Sequence, residues 1–246
     1  MTSMMRKIAT IWLVLVGVGV SFGAGFGLSS AALAADRPVV VELYTSQGCS
    51  SCPPADAFFR DQLAKQKGVI ALSLHVDYWD YIGWKDAFAS PAFTKRQRDY
   101  ARAAGHRSVY TPQLIIGGTD HVIGTKPGAV RNLVKSHAKA KSEVTVEAKR
   151  RGDTVTIDLK CATPMDERLM VQLVRFKRES TVNIKRGENA GRTISYANIV
   201  TSWDMLGEWD TRKPLEIMAP VMGNDEIVIL VQRKGHGAIE AALQLN

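Results

Sequence analysis

Hydrophobic and polar positions divide this chain into two halves with different rhythms. In the first half, residues 38–44 (PVVVELY) are β-branched and nearly all apolar, which predicts a buried strand. Residues 55–65 place apolar side chains at helical intervals until Gly68 ends the pattern. Residues 69–76 (VIALSLHV) predict a second buried strand. An aromatic connector comes next, then a polar helix over about 92–104, a third strand at 113–116, a Gly117-Gly118 turn and a short strand at 121–123. Residues 127–140 close this half as a basic amphipathic helix.

At about Ser142 the period changes. Short runs alternate apolar and polar residues: VTVEA at 144–148, VTIDL at 155–159, MVQLV at 170–174, TISY at 193–196 and IVILV at 227–231. Turns bearing Gly and Asp separate them, a spacing that predicts an antiparallel sandwich or barrel. No long repeat, low-complexity tract or flexible linker intervenes. Two closely packed domains are therefore expected, at 35–141 and 142–246.

The first 34 residues obey neither rhythm. Arg6 and Lys7 precede the apolar run IATIWLVLV, small residues come after it, and Ala32-Leu33-Ala34 forms an A-x-A cleavage pattern. This predicts a signal peptide over 1–34 and an exported protein, periplasmic or secreted. The apolar run is short and glycine-interrupted for a membrane span, and no later segment resembles one, so no integral membrane segment is expected in the mature chain.

Composition changes this picture little: 46% apolar and 23% charged residues are ordinary for a globular protein. The net charge of +8 is more informative, because its distribution is uneven. Residues 35–141 hold 15 basic against 9 acidic side chains, and residues 142–246 hold 15 against 15. Nucleic acid is not an expected partner: there is no arginine-rich tract or interleaved aromatic stripe, and export is predicted. The run Lys95-Arg96-Gln97-Arg98 reads as a solvated helix face.

Chemistry enters at TSQGCSSCPPAD, residues 45–56, where Cys49 and Cys52 fall between a strand and a helix. Two intervening residues hold the sulfurs close enough to bond, and such a pair within a strand–helix–strand pattern is a redox signature. A thiolate attacks a disulfide, and its neighbour then resolves the mixed disulfide. Cys49 is expected to be the exposed attacking sulfur and Cys52 the resolving one. Two other readings stand beside this one: a permanent small-loop disulfide in a non-catalytic binding module, and a thiolate pair holding Cu(I). A structural zinc site needs four ligands and this motif supplies two, so no metal or other cofactor is assigned.

The order of that motif and Val109-Tyr110-Thr111-Pro112-Gln113 resembles the thioredoxin superfamily. The resemblance implies a thioredoxin-like α/β domain followed by the mainly antiparallel β domain. It also implies a cis Thr111–Pro112 bond facing the sulfurs across a solvent-open cleft, with Thr111 and Pro112 binding an extended substrate segment. This chain has Gly48 where thioredoxins have Trp, and Pro53-Pro54 after the second cysteine, which push the helix start to Pro53 or Pro54. A resemblance covering nearly the whole mature chain rests on QGCSSCPPAD, HVDYWDYIGWKDAFASPAFTKRQRDYA, VYTPQ and RGENAGR. It is to an uncharacterised family of exported bacterial proteins, domain of unknown function twelve-twenty-three. Motif and resemblance together lead to an expected exported thiol–disulfide oxidoreductase acting on a protein or small thiol or disulfide, with an unidentified redox partner.

The ends of strands in such a sheet are where ligands meet it. Asp77 is therefore a candidate proton acceptor during resolution, or the cap of a turn. Trp79, Tyr81 and Trp84 are candidates for an apolar substrate wall, or for packing of the connector. His75 reads as a strand residue with a satisfied ring, His106 and His121 as surface, and Cys161 as a buried free thiol. Residues 186–192 (RGENAGR) read as a hairpin turn.

Overall fold

The computed structural model describes residues 37–245. The predicted signal peptide at 1–34 lies outside them. Strand β1 (Val39–Thr45) is buried along its whole length, which is why its sequence does not alternate. One face, Val39, Val41 and Leu43, packs against α1 (Pro53–Asp61) and α3 (Pro127–His137). The other, Val40 and Tyr44, packs toward α2 (Pro91–Ala103). Beside β1 runs parallel β2 (Val69–His75), in register from Val39↔Val69 to Thr45↔His75. On its other side lie antiparallel β3 (Gln113–Ile116) and then β4 (Asp120–Ile123).

The remaining strands split between two sheets. β5 (Val144–Arg151), β6 (Thr154–Cys161) and β9 (Leu215–Pro220) form a three-stranded antiparallel sheet in the order β5-β6-β9. β7 (Leu169–Asn183) and β8 (Thr193–Trp209) form a long hairpin, joined by β10 (Glu226–Arg233) and β11 (Ile239–Leu245). β8 meets β2 in parallel at Ser73↔Ile199. Here Asn198 takes a left-handed φ of 48°, and its Nδ2 donates to the Ala71 carbonyl at 2.9 Å. One eight-stranded mixed sheet results, ordered β11-β10-β7-β8-β2-β1-β3-β4.

That sheet corrects the expected fold class. A thioredoxin-like α/β domain followed by a β sandwich or barrel is not what forms; the protein is mostly β, with strands from both halves in one mixed sheet and few helices. The physical reason lies in β8. Tyr196, Ala197, Ile199 and Val200 are buried there, so the strand brings enough apolar surface to seat against β2. The core runs along the sheet: Leu72, Leu74 and Phe93 share one apolar cluster with Val174, Val200, Val228 and Leu230.

A buried polar knot ties the same parts together. Glu42 on β1 accepts from Arg96 Nε and Nη2 at 2.8 and 2.9 Å, and from the Tyr44 and Tyr100 hydroxyls at 2.8 and 2.7 Å. The Arg96 guanidinium lies 3.7 Å over the Trp203 ring of β8 and donates to Gln232 of β10 at 3.2 Å. Burial pushes the Glu42 carboxyl up, but the Arg96 charge together with the hydrogen bonds from Arg96, Tyr100 and Tyr44 outweighs it and holds the group below its ordinary value. Arg96 is therefore a buried structural cation, not part of a solvated face.

Candidate functional site: the disulfide turn at residues 49–52

Strand β1 ends at Thr45 and α1 begins at Pro53, with Cys52 at its N-cap. Two prolines at the first helical positions do no harm, since those N–H groups have no partner inside a helix. The turn between is already closed by backbone bonds, Cys49 N to Ser46 O and Cys52 N to Cys49 O, both 3.2 Å. Cys49 and Cys52 are joined by a disulfide across Cα atoms 5.4 Å apart.

The pair is not open to solvent as the sequence led one to expect. Cys49 is 1% exposed and Cys52 0%, while Ser50 and Ser51 form the exposed tip between them. The cover comes from the loop between β7 and β8, residues 184–192. Asn189 Nδ2 donates to two carbonyls of the turn, Gln47 O and Cys49 O, each at 2.9 Å. Glu188 Oε2 accepts from Ser50 N at 3.3 Å. Gly187 holds a left-handed φ of 75°, with its α-carbon tucked so close that a Cβ would lie 3.3 Å from Trp84 Cβ. The RGENAGR segment is thus a strap across the disulfide, supplied from far along the chain.

Most of the sequence-derived site residues gather around this turn. Trp79 packs against Gly48, where a Cβ would come within 3.2 Å of Trp79 Cβ, and its Nε1 donates to Thr111 Oγ1 at 2.8 Å. The Thr111–Pro112 bond is cis. Pro112 lies against Gly124, where a Cβ would meet both Pro112 Cβ and, from α1, Ala55 Cβ at 3.0 Å. Trp84 Nε1 donates to Gln47 Oε1 at 2.8 Å. Tyr81 stands out in solvent. Asp77 bonds to α2: its Oδ1 accepts from Thr94 Oγ1 at 2.5 Å, beside a cavity of about 530 Å³ that Lys95, Arg98 and Arg102 also line.

Behind the turn lies a set of buried polar groups that the sequence reading did not single out as a site. Thr45 Oγ1 donates to Asp56 Oδ1 at 2.7 Å. Asp56 lies one helical turn beyond Cys52, its N donating to the Cys52 carbonyl at 3.0 Å. Burial pushes the Asp56 carboxyl up to about 7, although the Thr45 hydroxyl favours its charged form. At the end of β2, the His75 ring places Nδ1 2.7 Å from Asp86 Oδ2, and the same oxygen accepts from Gln47 N at 2.8 Å. The His75 ring lies edge-on to Tyr196, with centroids 4.9 Å apart. Burial raises the Tyr196 hydroxyl far above its ordinary range. The signal for Asp56 was present in the sequence: it occupies the same helical stripe as Cys52, Phe59 and Leu63, where a carboxylate has no ordinary place.

Among the described residues no group of three or more His, Cys, Asp or Glu side chains is arranged to hold a metal ion. No described helix is long and apolar enough to cross a membrane. Cys161 is free and half-buried, and its Sγ donates to the Thr163 carbonyl at 3.0 Å.

Fold and site together define a mostly β, disulfide-bearing protein with one large mixed sheet and a strapped turn at its strand–helix junction. The chain belongs to the family described as "Protein of unknown function (DUF1223)", whose profile matches residues 40–232. Among solved structures it is similar to protein AGR_C_4864 from Agrobacterium tumefaciens, at 36% identity and a TM-score of 0.71, over 85% of this chain and 94% of that one. It is similar in fold to HBP35 of Porphyromonas gingivalis at 16% identity and a TM-score of 0.59, over 85% of this chain and 75% of that one. That likeness spans both halves of the sequence, as a continuous sheet requires. No curated protein matches the chain.

Proposed function

We propose that the protein is an exported thiol–disulfide exchange protein acting through Cys49 and Cys52. The observation that carries this reading is what the disulfide joins. It links residues three apart in a turn that backbone hydrogen bonds already close. By the chain-entropy relation so short a loop yields about 2 kcal/mol of stability, less than half the value for a long one, so the bond is a poor staple. Two sulfurs at this spacing are well suited to forming and breaking that bond in turn.

The chemistry is two successive displacements. A client thiolate attacks Cys49 Sγ, forming a mixed disulfide and expelling Cys52 as the thiolate. A second client thiolate then attacks the client sulfur and expels Cys49, leaving the client oxidised and the pair reduced. Trp79, Thr111, Pro112 and Trp84 border the turn, and a client segment reaches the sulfurs between them once residues 184–192 lift. The partner is a protein or small thiol, and export supplies the compartment in which such a pair cycles.

The burial of both cysteines favours a second reading, a permanent disulfide in a non-catalytic module. A Cys52→Ser variant decides between them. It is expected to retain mixed disulfides through Cys49 when mixed with thiol-bearing client proteins. Absence of any such adduct, with the strap opened by Asn189→Ala, would leave the structural reading.

A further inference from the structure

Among the described residues, six buried side-chain polar atoms have no hydrogen-bond partner. Five belong to residues in the disulfide turn, in the strap across it or packed behind it: Gln47 Nε2, Asp56 Oδ2, His75 Nε2, Asn189 Oδ1 and Tyr196 Oη. An unpaired buried polar atom destabilises a fold, and five in one neighbourhood ask for a reason beyond folding. A disulfide that never breaks gives none.

We propose that Asp56 is the proton donor and acceptor for the Cys52 sulfur, with Thr45 as the group that positions its carboxyl. This rests on the exchange reading above. Cys52 and Asp56 lie on one face of the same helix, where side chains four residues apart have Cβ atoms about 5–6 Å from each other. Both are buried, and Asp56 keeps one oxygen free while Thr45 holds the other. When a client thiolate breaks the Cys49–Cys52 bond, Cys52 departs with the electron pair. The Asp56 carboxyl proton passes to that sulfur, leaving a neutral thiol and a carboxylate. On reoxidation by a client disulfide the carboxylate takes the proton back as Cys52 closes on Cys49. No charge then accumulates on a sulfur sealed from water.

The groups facing Asp56 fit such cycling. His75 from β2 and Arg60 from α1 itself favour its carboxylate, Thr45 from β1 donates to it, and Asp86 from the connector opposes the charge. Tyr196 from β8 is disfavoured from ionising chiefly by its burial, with Asp56 and Asp86 adding to the effect. The burial that lifts the Asp56 carboxyl to about 7 leaves it able to hold or release a proton near neutrality.

The test is the rate at which a small dithiol reduces the oxidised full-length protein, compared between wild type and Asp56→Asn across pH. Taking the ratio cancels the reagent's own ionisation. The ratio should fall about tenfold between about pH 6 and pH 8, in line with the low end of general-acid contributions. Thr45→Val, which removes a bond favouring the carboxylate, should move the midpoint of the wild-type profile to higher pH. This second variant also serves if Asp56→Asn does not fold. A ratio independent of pH, or a midpoint that Thr45→Val leaves in place, overturns the proposal while leaving exchange intact. If the disulfide resists the dithiol at every pH even with Asn189→Ala, the exchange reading itself fails and this one with it.

Discussion

Replacing Asp56 with Asn should make the protein's stability less dependent on pH, and the size of the effect can be worked from the site. The neutral acid and the amide have nearly the same shape, and Thr45 Oγ1 can donate to either at the oxygen it holds at 2.7 Å. Burial raises the carboxyl from 3.8 to about 7 in the folded protein. Because the folded value lies above the unfolded one, the linked stability is full below about pH 4 and is lost as pH rises through about 7. A displacement of about three units corresponds to about 4 kcal/mol. Wild type should therefore lose about 4 kcal/mol between about pH 4 and pH 8 that Asp56→Asn does not lose, all other titrating groups being common to both. Urea unfolding of the oxidised proteins, monitored by tryptophan fluorescence at several pH values, measures the difference. Profiles that stay parallel to within about 1 kcal/mol would refute a buried acid at this position.

The same contacts set three further outcomes. Asn189→Ala removes the two bonds from Asn189 Nδ2 to the turn and should speed reduction of the disulfide by a small dithiol at least about tenfold, while costing about 1–3 kcal/mol of stability; stopped-flow rates and urea midpoints report the two effects. Arg96→Met leaves the buried Glu42 without its cation and should cost about 3–5 kcal/mol, with much of that recovered when Glu42→Gln is added, which a double-mutant cycle measures. Reducing the Cys49–Cys52 bond should lower unfolding stability by only about 2 kcal/mol, read from denaturation with and without reductant; a loss near 5 would make the bond a staple after all.

The local parts of this architecture were legible because local rules govern them. β1 and β2 announce themselves as unbroken apolar runs, and Pro53 starts α1 where a missing N–H is tolerated. The joining of the halves was not legible. Residues 177–183 are largely polar and continue past the run expected at 170–174, and the run expected at 193–196 goes on to Trp209, so β7 and β8 form a hairpin long enough to carry β8 onto β2. Its placement depends on Ile199 meeting Ser73 and on Asn198 reaching the Ala71 carbonyl, contacts that no window of sequence contains. β9 and β11 were missed for a related reason: LEIMAP and IEAALQL lack the β-branched alternation that marks their partners.

The site divided in the same way. Cys49 and Cys52 stand out as a motif and are joined in a disulfide, while Trp79 lies against Gly48 and bonds Thr111, and Pro112 lies against Gly124. Asp77 attracted notice because it ends a strand, but its partner is Thr94 on α2. The strap remained a plain hairpin turn on paper because its role is fixed by Asn189 meeting carbonyls about 140 residues away. The cover over Cys49 could not be read from QGCSSCPPAD alone, and that is why an exposed sulfur was expected there.

In the exchange chemistry proposed above, the bond between Cys49 and Cys52 opens and closes in use. Equilibrating the protein with dithiol–disulfide buffers and measuring its reduction potential tests this most directly. Exchange chemistry predicts a potential above about −300 mV, within reach of biological thiols, whereas a value below that figure with no detectable exchange would contradict it.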